Sequence, residues 1–235
     1  MHRPLVFCLV VVLLAIAASS SAVPRKPVWP RQFDVQFGLS VVESPLNGPI
    51  VNVTSHFYYD FNVQASLVTY PELCLPGLIP GDGWKKGCNL LFNPKGTYLF
   101  APHAGVDCCL LFPGVGTVPP DFLRGFNASG FVVPTPDLYG VLHNSDFWVT
   151  NEGFFYWTDA KTGGDVALVD GGSVVWNFYP HLRVAPQPSA LFAVPSNCAV
   201  SCPGSFLAHA RKHAGGRVDP MVSLALHHHR LLHTQ

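Results

Sequence analysis

Between residues 33 and 41 every second side chain is apolar: Phe33, Val35, Phe37, Leu39 and Val41 alternate with Asp34, Gln36, Gly38 and Ser40. A sustained two-residue period predicts a strand with one buried face. Val51, Val53, Ser55, Phe57 and Tyr59 continue the pattern, and after Asp60-Phe61-Asn62 the run Val63, Ala65, Leu67 and Thr69 reads as a hairpin partner. Further short strands are predicted over 89–93, 96–101, 106–112, 139–149, 153–159, 165–169 and 173–180, several of them aromatic: Phe147 and Trp148, Phe154 to Trp157, Trp176, Phe178 and Tyr179. Helix is scarce, and its best candidate is one turn, Asp121-Phe122-Leu123-Arg124, set after Pro119-Pro120 and broken by Gly125.

Successive strands joined by tight turns predict an all-β antiparallel meander, which must bury one face against something. With almost no helix to cover it, the sheet is expected to curl into a half-barrel around a hydrophobic concavity. That concavity is either filled by its own aromatics or open to a ligand. Its candidate ligand-binding side chains are Phe37, Leu39, Phe57, Tyr59, Phe147, Phe155, Trp157, Trp176 and Phe178. The parity of each strand decides which of them face inward.

Composition fits a strand-and-turn protein: 12% charged and 49% hydrophobic residues, with 22 Pro and 21 Gly spread along the chain. Net charge is zero with His neutral, and the body carries no basic stripe interleaved with aromatics, so nucleic acid is set aside as a partner.

The first 22 residues read as a secretion signal: His2 and Arg3, an apolar run from Val6 to Ala17, then Ser20-Ser21-Ala22 at the cleavage positions. The run is short for a bilayer span and no second one follows, so no transmembrane anchor is expected. Cys8 would leave with the signal. Residues 23–204 are then one β-rich domain, and 205–235 a basic tail with Arg211, Lys212, Arg217 and Arg230 and six histidines, among them His227-His228-His229. Cys74, Cys88, Cys108, Cys109, Cys198 and Cys202 remain, an even count suited to cystines in an oxidising compartment. Adjacent Cys108 and Cys109 point to opposite faces of a strand, so they should reach different partners, one in the Cys74/Cys88 region and one in the C-terminal pair. Asn52-Val53-Thr54 and Asn127-Ala128-Ser129 are glycosylation sequons at Asn52 and Asn127.

Catalytic signatures are missing. There is no G-x-S-x-G elbow, H-E-x-x-H, P-loop or G-x-G-x-x-G, and the cysteines are committed to cystines. No metal site and no cofactor is expected. A carbohydrate-active enzyme would need two facing carboxylates, for which Asp146, Glu152 and Asp159 around an aromatic hairpin are the candidates.

Val28-Trp29-Pro30-Arg31-Gln32-Phe33, Phe57-Tyr58-Tyr59-Asp60, Cys108-Cys109, Val118-Pro119-Pro120-Asp121-Phe122-Leu123 and Phe154-Phe155-Tyr156-Trp157 occur in an order that resembles small secreted plant and protist proteins, mostly uncharacterised. The stretch Ser189 to Cys198 is similar to the end of ependymin-related proteins. The resemblance implies a curved sheet of the ependymin-related and lipoprotein-carrier (LolA-like) kind, secreted and glycosylated, binding a lipid or another apolar ligand. Calcium is also attributed to that family, but no acidic cluster here would hold it; the Cys74–Cys88 insert and the His-rich tail depart from the pattern. The expected function is thus non-enzymatic sequestration of an apolar or amphipathic small molecule, stabilised by on the order of 25 cal/mol per Å² of apolar surface covered. The alternatives are the carbohydrate enzyme and a structural extracellular protein with a filled core.

Overall fold

The computed structural model describes residues 24, 26–42, 49–75, 78–149, 154–170, 174–178, 181–204 and 206. Residues 1–22 with Cys8, Glu43, Glu152, Tyr179, and the tail at 205 and 207–235 with His227 to His229 lie outside them.

Eleven antiparallel strands form one sheet: β1 (Gln32–Val42), β2 (Pro49–Asp60), β3 (Ala65–Tyr70), β4 (Cys88–Asn93), β5 (Gly96–Ala101), β6 (Val106–Pro113), β7 (Asn127–Pro136), β8 (Leu142–Val149), β9 (Phe154–Asp159), β10 (Asp165–Asp170) and β11 (Val174–Phe178). Their order is β6-β5-β4-β3-β2-β1-β11-β10-β9-β8-β7. Two meanders, β1 to β6 and β7 to β11, are therefore joined where the first strand pairs with the last, with Phe37 opposite Phe178 and Leu39 opposite Trp176. The sheet is a strongly curved, open half-barrel.

The two edge strands, β6 and β7, are consecutive in the chain, so residues 114–126 must travel from one edge to the other. They do so across the core-facing side, burying Val115, Val118, Phe122, Leu123 and Phe126. The predicted turn of helix sits here as a 3-10 turn, Phe122–Gly125. Backbone groups of the crossover are met by side chains of the sheet: Tyr59 Oη donates to Val118 O at 2.9 Å and Thr97 Oγ1 to Val115 O at 2.7 Å. The N-terminal segment joins them, with Trp29 N donating to Pro120 O at 3.0 Å.

β7 was not predicted. Its burial does not alternate, and Gly130, Pro134 and Pro136 interrupt it. It is a strand because β8 supplies a partner, with the register shifting between Ala128 and Val132. The predicted strand over 139–149 starts only at Leu142, since Asp137 to Val141 form the hairpin turn: Asp137 Oδ1 accepts from the backbone N–H groups of Tyr139 and Val141.

The disulfides are Cys74–Cys88, Cys108–Cys198 and Cys109–Cys202. Cys108 and Cys109 do diverge, but the expectation that one of them reaches Cys74 or Cys88 is corrected. Cys74 N donates to Trp84 O and Lys86 O, so the loop between β3 and β4 closes on itself and Cys74 meets Cys88. The C-terminal segment supplies both other partners because it wraps the β6 edge. Phe192, Val194 and Cys198 cover the outer face with Leu91 and Tyr98. Leu110 N then donates to Val200 O and Cys202 N to Leu110 O, and Cys202 and Phe206 enter the inner core. Three cystines suit an oxidising, extracellular setting, and among the described residues no helix is long and apolar enough to cross a membrane.

Candidate functional site

The two-residue period divides the nine predicted ligand contacts between the faces. Phe37, Leu39, Phe57, Tyr59, Trp176 and Phe178 lie on the inner face, each no more than 1% exposed. Phe147, Phe155 and Trp157 lie on the outer face, because the register pairs Phe147 with Trp157 and leaves their neighbours Trp148 and Tyr156 to point inward. The three are half-buried and form a stack of their own, Phe147 to Trp157 at 5.0 Å and Phe147 to Phe155 at 5.5 Å between ring centres.

The inner face is occupied by the protein itself. Phe37 stacks on Trp176 at 4.1 Å, and Trp29 packs against Phe122 at 4.2 Å while also touching Phe33, Phe57 and Tyr59. Trp29 Nε1 donates to Tyr156 Oη at 3.0 Å, and Tyr156 Oη donates in turn to Asp165 Oδ1. Burial pushes the Asp165 carboxyl up to about 6, against the hydrogen bonds from Tyr156 and Trp29 that favour its ionised form. Burial and the adjoining carboxylate raise Tyr156 well above the phenol range. Two inner polar groups are buried with no hydrogen-bond partner among the described residues: Ser55 Oγ and Trp176 Nε1. They flank Phe37, Ser55 as its partner across β2 and Trp176 as its stacking neighbour.

An open cleft of about 790 Å³ lies elsewhere, between the N-terminal segment, the middle of β8 and the end of β9 with its following turn. Its walls alternate apolar and polar groups: Pro24, Pro27, Val28 and Ala160, against Lys26, Lys161, Thr158 and Thr162. Lys26 Nζ donates to Arg124 O at 2.8 Å, which ties one wall to the crossover. The opposite wall is the β9–β10 turn, built on Asp159, whose Oδ1 accepts from Lys161 N at 2.9 Å, Thr162 N at 2.7 Å and Thr162 Oγ1 at 3.0 Å.

Asp146 and Asp159 both line this cleft. They are on adjacent strands but not opposite one another, since Asp146 pairs with Thr158 and Ser145 with Asp159, so their side chains leave opposite faces of the sheet. Asp159 accepts four hydrogen bonds, the fourth from His143. Burial, which raises its pKa, is outweighed by these donors, and Asp159 is held below the ordinary carboxylate value. A general acid needs the reverse shift.

His143 is the residue that sequence reasoning missed here. Its Nε2 lies 3.1 Å from Asp137 Oδ2 and its Nδ1 lies 3.1 Å from Asp159 Oδ2, so it bridges the turn before β8 and the turn after β9. The hydrogen bond with Asp137 is the main cause of its raised pKa, partly opposed by burial. Asp-x-Tyr-Gly and Asp-x-x-x-Gly are turn signals in the sequence, but only the register brings both carboxylates to one imidazole. Among the described residues no cluster of three or more His, Cys, Asp or Glu side chains is arranged to hold a metal ion.

Fold and site together define a disulfide-bonded β half-barrel with a packed inner face and a separate mixed-polarity cleft. No family model matches the chain. No curated protein matches it either. Among solved structures it is similar to a LolA superfamily protein from Nitrosomonas europaea, at 11% identity and a TM-score of 0.37, over 72% of this chain and 93% of that one.

Proposed function

We propose that the protein is an exported, non-enzymatic binding protein whose ligand is an amphipathic small molecule, taken up in the cleft between residues 24 and 26–28 and the β9–β10 turn. In this reading residues 1–22 are the export signal, 23–204 the binding domain and 205–235 an appended tail, with Asn52 and Asn127 as glycan acceptors. The observation that carries it is the 790 Å³ cleft, which sets Pro24, Pro27, Val28 and Ala160 beside Lys26 and Lys161, with Asp146 and Asp159 also on its walls. A ligand with an apolar body and an anionic or hydroxylated end matches such walls. The inner face is the second reading, favoured by Ser55 Oγ and Trp176 Nε1, which have no partner among the described residues and would suit a ligand carrying a hydrogen-bonding group. There a ligand must displace side chains that are already packed.

The test uses the full secreted protein. Native mass spectrometry with organic extraction identifies any co-purifying molecule, and 1-anilinonaphthalene-8-sulfonate serves as an amphipathic anionic probe. Near-stoichiometric uptake, weakened roughly tenfold in Lys161→Glu by turning attraction into repulsion at near-water dielectric and unchanged in Trp176→Phe, supports the cleft. No uptake overturns the binding reading. Uptake lost in Trp176→Phe and retained in Lys161→Glu overturns the cleft in favour of the inner face.

A further inference from the structure

The cleft wall formed by residues 159–163 is held from behind. Asp159 organises the turn through Oδ1, and its second oxygen is bound to His143, which in turn binds the Asp137 carboxylate that organises the β7–β8 turn through its own Oδ1. A further backbone bond, Ala160 N to Asn144 O at 2.8 Å, ties the same turn to the residue after His143. The hairpin carrying Asp137 is anchored in turn to β11, where Leu138 N donates to Phe178 O at 3.1 Å and Asn177 Nδ2 to Pro136 O at 2.8 Å. His143 is therefore the side-chain link between a fixed hairpin and the turn that walls the cleft.

The geometry points to a pH-sensitive latch: we infer that the imidazolium of His143 clamps the β9–β10 turn to the β7–β8 turn, and that its deprotonation releases the cleft wall and weakens binding there. The regulatory half of this inference rests on the cleft being the binding site.

The chemistry follows from counting donors. A carboxylate only accepts, and each imidazole nitrogen has a carboxylate oxygen 3.1 Å away. Only the doubly protonated ring can donate to both. The neutral ring keeps one N–H and turns a lone pair toward the other carboxylate, so one of the two bonds becomes a repulsion. Among the described residues no other cation offsets this arrangement at close range: the charges acting on His143 are Asp137 and Asp159. Lys161 follows Asp159 on the same turn but is exposed, Thr135 faces His143 across β7, Asp146 leaves the opposite face of β8, and Asp165 is buried on the core side with Tyr156.

The sign is fixed by the directions of the shifts. His143 is raised above 6.5, so its contribution is complete below 6.5 and is lost as pH rises through the raised value. Asp137 and Asp159 are lowered below 3.8, so theirs is present above 3.8 and lost only as pH falls through the lowered values. The latch is closed between those limits and opens on the alkaline side.

The experiment is an amide hydrogen-exchange and NMR titration of the whole mature protein from about pH 5 to 9, corrected for intrinsic exchange, with His143 followed through its ring nitrogens. Protection of Lys161, Thr162 and Gly163 is expected to fall about tenfold, the loss expected for a charge-assisted hydrogen bond, with the midpoint of the His143 titration. The step should vanish in His143→Gln and in Asp137→Asn, whose amide oxygen still serves the Tyr139 and Val141 N–H groups. Flat protection, or the same step in both variants, overturns the latch. Affinity for 1-anilinonaphthalene-8-sulfonate is then measured at both ends of the titration. A loss of about fivefold, the low end of coupling between linked sites, confined to chains with His143 intact supports the regulation. A latch that titrates while binding is constant or undetectable overturns the regulation and leaves the latch standing.

Discussion

Cys108 and Cys109 tie the same C-terminal segment to the two faces of β6, and this makes their bridges non-additive. Cys108–Cys198 spans 90 residues and Cys109–Cys202 spans 93. Either bridge alone closes that long loop, an entropic stabilisation of about 4.6 kcal/mol on the chain-closure model. Once one is in place, the other closes only a small ring of about seven residues, worth roughly 2.3 kcal/mol on the same model. Removing either pair, as Cys108→Ala/Cys198→Ala or Cys109→Ala/Cys202→Ala, should therefore lower the unfolding free energy by about 2 kcal/mol beyond any packing loss, whereas removing both should lower it by about 7. The excess over the sum of the two single-pair losses, about 2 kcal/mol, is the interaction energy of the cycle and cancels packing terms that are local to each site. Urea unfolding of the four proteins measures it. The Cys74–Cys88 pair, which spans 14 residues in a separate loop, is the control: its removal should cost about 3 kcal/mol and add to either of the others. Additive losses for the two C-terminal bridges would refute the shared-loop argument.

Two further outcomes follow from the inner core. Asp165 titrates at about 6 in the folded protein against 3.8 in the ordinary state, so its stabilising contribution is present below 3.8 and is lost as pH rises to 6, a change of about 3 kcal/mol at 1.4 per unit; Asp165→Asn should flatten stability between pH 4 and 6, and an unchanged pH profile by urea titration would contradict the assignment. Trp29→Ala should cost about 3–5 kcal/mol, since Trp29 is 4% exposed and links the N-terminal segment to the crossover and Tyr156; thermal unfolding within 1 kcal/mol of the parent, about a few degrees, would show that the segment is dispensable.

The strands that bury one face wrote themselves into the sequence. β1 and β2 follow the alternation of Phe33 to Leu39 and Val53 to Tyr59 because every second residue there faces the core. Aromatics fall on both parities of β8 and β9, at Phe147 and Trp148 and at Phe155 and Tyr156, so pattern alone could not tell inner wall from outer stack. β7 was invisible because an edge strand with Phe131 and Val132 exposed carries no burial period. The cystine pairing depended on the path of the C-terminal segment around an edge, which no local pattern encodes. The His143 bridge likewise joins three residues through cross-strand register, while the cleft is bounded by a turn and a segment with no regular structure.

Among the described residues the half-barrel has two edges where another strand could add, β6 and β7. At β6 the chain has occupied that place with its own residues 200–202 and fastened them by a cystine on each face. At β7 no described residue pairs along the outer side, though Pro134 and Pro136 withhold N–H donors from much of it. Growth of a fibre by edge pairing requires every subunit to offer two open edges. A molecule with one edge covalently sealed can terminate such a stack but cannot extend it, so the cystines that stabilise the fold also cap its capacity to polymerise.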